Sequence, residues 1–148
     1  MKMPCLSLWQ PWATCCVRPL PDGRLKTLET RFWRAAPRAY IGRYIVIHAA
    51  KHRDAESDAV CRQMGWNQDT LLYGAALGII HLRGWHWCTP KDEQAALCEC
   101  VGKLGLEFAN ARAFDEPLPM RGCQGFWYEE IPDDLMPESV RQVAGLYR

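Results

Sequence analysis

The sequence predicts an α+β domain: a small curved sheet or β-barrel of five to six strands with helices packed outside it. Three observations support this. Residues 43–50 form an apolar, β-rich run of the length expected for a strand buried on both faces. Residues 73–87 are long and apolar but interrupted by Gly74, Gly78 and Gly84, as a bent strand or two strands of a curved sheet would be. Residues 54–64 and the stretch from Thr89 instead carry helix-start signals. The 148 residues suffice for one core, so a single domain over 1–148 is expected.

In chain order, residues 3–8 read as a short strand that turns at Trp9-Gln10-Pro11 into a helix. Pro11 suits the first helical position because its missing N–H would have no intrahelical partner there. Residues 12–17 continue that helix until Pro19, and Pro19-Leu20-Pro21-Asp22-Gly23 is turn composition, after which the chain reverses. Residues 26–32 alternate as a strand with Thr27, Glu29 and Arg31 on one face and Lys26, Leu28 and Thr30 on the other. Lys26 joins Glu29 only through a kink or bulge near Thr27. A loop over 34–42 leads to the run at 43–50.

Asp54 is placed to cap a helix on which Ala55, Ala59, Val60 and Met64 fall near one face, with Gly65 ending it. Thr89-Pro90-Lys91-Asp92-Glu93 combines a cap, a first-turn proline and early acids, and predicts a helix that ends near Gly102 or Gly105. Residues 106–114 read as a further strand and 123–131 as an aromatic last strand. Residues 137–144 read as a closing helix stopped by Gly145.

Composition narrows the function. With 49% hydrophobic and 24% charged residues of mixed sign, the chain is neither a disordered tail nor a coiled coil. Its formal charge is only +1, so coating a duplex would require the 18 Lys and Arg to be segregated on one face. There is no basic segment followed by an apolar stretch at the N-terminus and no run of 18 apolar residues. Neither signal peptide nor membrane span is read, and a cytoplasmic location is the default. The eight cysteines read as reduced, small core residues rather than a secreted disulfide framework. No cofactor or metal is expected: His81, His86, Cys88, Cys98 and Cys100 lack paired Cys-x-x-Cys elements, and no spacing singles out a nucleophilic cysteine.

The candidate site combines Ser7-Leu8-Trp9-Gln10-Pro11-Trp12-Ala13 with Lys26-Thr27-Leu28-Glu29-Thr30-Arg31. Trp9 and Trp12 can stack on a base, an interaction worth about 1–3 kcal/mol, or belong to the core like most of the seven tryptophans. Gln10 can present a donor and an acceptor to a base edge or tie down its loop. Lys26 and Glu29 can act as a coupled acid and base or simply pair. Arg31 and Arg121 can fork a phosphate or carboxylate, or brace the scaffold. His48 ends the most buried strand and reads as a satisfied core histidine, while that strand end, with Lys51 beyond it, can open into the same cleft.

These segments resemble the ASCH domain family, a branch of the PUA-like superfamily, in its phage and bacterial type. The resemblance rests on residues 7–13, on Lys26-x-x-Glu29-x-Arg31, and on Gly42-Arg43-Tyr44-Ile45-Val46-Ile47-His48-Ala49-Ala50-Lys51. Phe108-Ala109-Asn110-Ala111-Arg112-Ala113-Phe114 and Arg121-Gly122-Cys123-Gln124-Gly125-Phe126-Trp127 add to it, so that it covers almost the whole chain. It implies a PUA-like curved sheet or barrel with a cleft, and a role centred on RNA or other nucleotides. Some members are similar to modified-base readers, others hydrolyse an acylated cytidine or cleave RNA.

In the acyl-cytidine hydrolases the pattern is Lys-x-x-Thr with a later acid, whereas Glu29 stands at the threonine position here. The expectation is therefore a nucleic-acid or nucleotide binding domain. Its partner would be RNA, a single-stranded nucleic acid or a modified nucleotide, held by Trp9, Gln10, Trp12, Lys26, Glu29, Arg31 and Arg121. The alternative is a small hydrolase, an acyl-cytidine-type amidohydrolase or a ribonuclease, using Lys26 and Glu29. A protein-interaction domain with a vestigial cleft is the third reading.

Overall fold

The apolar run at 43–50 becomes β3 (Tyr44–Ala49), buried in five of its six residues. The structure is a computed structural model and describes residues 1–145. Beside β3 lie β1 (Lys2–Leu8), parallel to it, and β4 (Ala75–Trp87), antiparallel. With β2 (Leu28–Arg31), β5 (Leu104–Pro119) and β6 (Phe126–Glu130) they form one mixed sheet in the order β2-β5-β4-β3-β1-β6. This is the curved α+β sheet that the sequence predicts. It is not closed into a barrel, because β2 and β6 each pair with a single strand.

Strand alternation explains the double burial. Leu6, Leu8, Ile45 and Ile47 pack with Ala13, Cys16 and Val17 of α1 (Trp12–Val17) on one face. Cys5 and Val46 point the other way, towards Ile131, Met136 and Val140 of the C-terminal segment. The stretch at 73–87 yields one bent strand rather than two, Ala75–Trp87: β4 slips register against β5 at Ala76/Gly78, Ile79/His81 and Leu82/Gly84. Such bulges increase local twist and curl the sheet.

The other helices are α2 (Ala55–Gln63), α3 (Glu93–Ala96) and α4 (Glu138–Gly145). Asp54 caps α2 in a reciprocal box with Ser57. α4 runs to Gly145, the last described residue, so the stop expected there lies outside the described residues. The helix expected to reach Gly102 is a 3-10 turn, Pro90–Asp92, followed by the single turn of α3, which Leu97 ends at φ 58°. Tertiary donors account for this. The Ala95 carbonyl accepts from the Thr27 amide (3.0 Å), Ala96 from the Lys26 ammonium, and Leu97 from the Trp12 indole N–H (3.3 Å). Side chains and backbone of the candidate site thus satisfy carbonyls that a longer helix would have satisfied internally. The eight cysteines are free thiols, and Cys5, Cys15, Cys16, Cys61, Cys88 and Cys100 are buried.

His86 on β4 clamps this end of the sheet, its Nδ1 meeting Glu107 of β5 at 2.7 Å and its Nε2 meeting Asp92 at 2.9 Å. The hydrogen bond to Glu107, seconded by Asp92, raises the imidazole above its ordinary value of 6.5. A raised folded-state value means that this stabilisation is complete below the unfolded value and is lost as pH rises through the folded one. The melting temperature of the wild type is therefore expected to fall, relative to that of His86→Gln, as pH rises above the ordinary imidazole value of 6.5. Parallel melting curves across that rise would contradict the clamp.

Candidate functional site

The site is built at the corner where β1 gives way to α1. The Gln10–Pro11 peptide is cis, and Pro11 precedes the helix rather than forming its first residue. Gln10 is wholly buried. Its Oε1 accepts from the Thr14 amide (3.0 Å), and its Nε2 donates to Thr14 Oγ1 (2.8 Å) and to the Leu72 carbonyl (2.7 Å). Both amide protons are committed, so Gln10 fixes the corner and faces no cavity. Trp9, just before it, is 55% exposed and stacks on His52 at 3.8 Å between centroids.

Facing this corner is the segment from Lys26 to Arg31. The strand starts only at Leu28, because the Lys26 amide bonds to Cys15 O and the Thr27 amide to Ala95 O. That irregular entry replaces the kink expected near Thr27 and turns Lys26 inward, where it is 1% exposed. Its ammonium lies 3.4 Å from Glu29 Oε1, while Glu29 Oε2 accepts from Arg31 Nε at 2.8 Å. Arg31 Nη2 then donates to the Ser7 carbonyl at 2.7 Å. β2 and β1 have three strands between them in the sheet, so Arg31 bridges two elements that only the curl brings together. Its guanidinium also sits 5.6 Å from the centroid of the Trp33 ring.

Two cavities meet at a wall formed by Ser7, Trp9 and Arg31. The smaller, about 460 Å³, contains Trp12, Lys26 and Glu29 with Thr30, Phe32, Cys98 and Lys103. The larger, about 1160 Å³, contains Trp33, His48, Lys51 and the loop from Pro119 to Gly125, including Arg121. Of the residues singled out in the sequence, Trp9, Trp12, Lys26, Glu29 and Arg31 come together at the smaller cavity. Arg121 lies across the larger one, and Gln10 lines neither. No Asp or Glu lines the larger cavity, and among the described residues neither Lys51 nor Arg121 makes an ion pair.

The sequence reading includes Ser7 in its first motif but gives it no role and does not pair it with His48. The Ser7 hydroxyl is 2.7 Å from His48 Nδ1, and His48 Nε2 is 2.8 Å from the Met120 carbonyl. A carbonyl only accepts, so Nε2 carries the proton and the Nδ1 lone pair of the neutral ring receives the Ser7 O–H. Burial pushes the imidazole below its ordinary value, partly offset by the Met120 bond, which favours that neutral form. The two residues are direct partners in the parallel β1–β3 register. That pairing, had it been inferred from the two strand patterns, was the signal that would have found them.

No family model matches the chain. Among solved structures it is similar over 97% of its length, and over 94% of the other chain, to ASCH from Zymomonas mobilis, with TM-score 0.55 and 14% identity. The chain has the ASCH-domain fold. Two ASCH mutant proteins from the same organism align at TM-scores of 0.49 and 0.48, with 11% and 14% identity. These alignments cover 97% of this chain and 96% and 94% of the other chains. In this ASCH-type fold the two cavities lie where β1 ends, sharing Ser7, Trp9 and Arg31 in their linings. No helix among the described residues is long and apolar enough to cross a membrane.

Proposed function

We propose that this ASCH-type domain binds RNA or another single-stranded nucleic acid, taking one nucleotide, which can be a modified one, across the two cavities. The observation that supports this most is the charge of the larger cavity: Lys51 and Arg121 line it without a carboxylate, together with Arg31, which is paired to Glu29 behind the wall, and beside Trp9 and Trp33. Cations with interleaved aromatics are what a phosphodiester carrying stackable bases requires. The net charge of +1 is compatible with this because the cations are gathered locally. In the smaller cavity Trp9 and Trp12 offer aromatic surface to a base, beside the Lys26–Glu29 pair, which is itself held by Ala96 O and Arg31.

Fluorescence anisotropy with a labelled single-stranded RNA tests the proposal. Affinity is expected to fall steeply with salt, and Lys51→Ala with Arg121→Ala should flatten the log–log salt slope by roughly 0.7 per lost phosphate contact. Trp9→Ala is expected to weaken binding by about 1–3 kcal/mol. Binding that ignores salt and the double substitution would refute it, and no binding to any oligonucleotide or nucleotide would favour a protein-interaction role.

A second reading, hydrolysis of an acyl-cytidine or of RNA by Lys26 and Glu29, draws on their 3.4 Å approach in the smaller cavity. It ranks below binding because Lys26 already bonds Ala96 O and Glu29 already holds Arg31. Turnover of RNA or N4-acetylcytidine by the wild type, absent in Lys26→Ala, would promote it.

A further inference from the structure

We propose that Ser7 is an acyl-transfer nucleophile with His48 as its base, acting on an ester-linked acyl group carried by a phosphate-bearing nucleotide in the larger cavity. The inference is separate from the Lys26–Glu29 reading, and only its phosphate component rests on the proposed nucleotide binding.

Geometry carries it. A nucleophilic serine needs a base within hydrogen-bond reach and a third group that fixes the tautomer of that base. Ser7 Oγ lies 2.7 Å from His48 Nδ1, and the Met120 carbonyl at 2.8 Å holds the proton on Nε2. Both side chains line the cavity, as does Gly122, which passes so close that a Cβ there would lie 2.7 Å from His48 Cε1 and 3.0 Å from Ser7 Oγ. The amides of Gly122, Cys123 and Gln124 make no hydrogen bond within the described chain, and are the donors available to an oxyanion. Lys51 and Arg121, which make no ion pair among the described residues, line the same cavity and supply charge for a phosphate.

The reaction closes with water as the only co-reactant. Ser7 Oγ bonds to the acyl carbon while its proton moves to His48 Nδ1. The bond from that carbon to the ribose oxygen breaks, and the leaving oxygen takes the proton. Water, deprotonated by the same nitrogen, then hydrolyses the acyl-serine to a carboxylic acid and restores Ser7.

The full-length wild type is to be treated with a fluorophosphonate probe, which bonds phosphorus to an activated serine oxygen and expels fluoride, and each serine peptide read by mass spectrometry. The chain has three serines, and Ser139 is exposed, so it serves as an internal control. Labelling confined to Ser7, and lost in a folded His48→Gln, is the expected result. An unlabelled Ser7, or labelling of Ser139 to the same extent, overturns the proposal whether or not the variant folds. For the substrate class, 2′(3′)-O-acetyl-AMP should be hydrolysed at least about tenfold faster than 2′(3′)-O-acetyladenosine, and not at all by Ser7→Ala. Equal rates on the two esters, or hydrolysis by Ser7→Ala, overturn that assignment. Ser7 labelling with no RNA binding in the anisotropy assay would sink the nucleotide reading and leave the nucleophile standing.

Discussion

Replacing Glu29 by alanine is expected to lower the free energy of unfolding by about 3–5 kcal/mol, the usual cost of removing one partner from a buried ion pair. The substitution strands the Lys26 ammonium, whose side chain is 1% exposed, with a single remaining partner, the Ala96 carbonyl. The reciprocal change is milder. In Lys26→Ala the carboxylate of Glu29 keeps Arg31 at 2.8 Å, and Arg31 is itself partly solvated. The expected order of loss in urea unfolding is therefore Glu29→Ala greater than Lys26→Ala, although lysine removes the larger side chain. An inverted order would mean that packing of the lysine stem, rather than its charge, is what the pair contributes. Added salt should change the Glu29→Ala penalty little, since a buried pair is poorly screened.

The same network shows what could be read in the sequence and what could not. The approach of Lys26, Glu29 and Arg31 follows from their spacing once a break in the strand is allowed. The cause of the break does not, because it lies in backbone acceptors at Cys15 and Ala95, distant along the chain. Trp9 is an exposed aromatic, as a stacking residue must be, while Gln10 looks equally suited to a base edge and is spent on Thr14 and Leu72. Nothing local distinguishes those two fates. The strands at 44–49 and 75–87 were legible from apolar runs and glycine interruptions, and the α2 cap from Asp54. The shortness of α3 was not, because its capping signals are genuine and its end is set by donors from Trp12, Lys26 and Thr27. The choice between an open curved sheet and a closed barrel was not legible for a related reason. Bulges and glycines report how far a sheet bends, but not whether its edges meet; here the Arg31 side chain links edge strand β2 to β1, while the other edge, β6, pairs only with β1.

Gly78→Ala is expected to destabilise the chain at or above the upper end of the roughly 1–3 kcal/mol typical of overpacking. A Cβ at position 78 would lie 2.3 Å from the Arg112 carbonyl oxygen and 2.9 Å from the Ala113 Cα, both in the backbone of β5, and 3.0 Å from Val17 Cγ1 on α1. Relief requires either parting the β4–β5 pair or lifting the short helix that begins at Trp12. Lifting the helix moves the wall that Trp9 and Trp12 give to the smaller cavity, so lost stability and weakened RNA binding should appear together in this variant. Gly84→Ala is the control, since its close contact is the Glu107 carboxylate, the far end of a side chain that can swing away. That change should cost well under about 1 kcal/mol in packing, with any further loss confined to pH values at which the Glu107–His86 contact is charged. Equal costs at the two glycines would mean that β4 is free to slide against β5. In that case the depth of α1, and with it the shape of the cavity, would be set by something other than the bulge at Gly78.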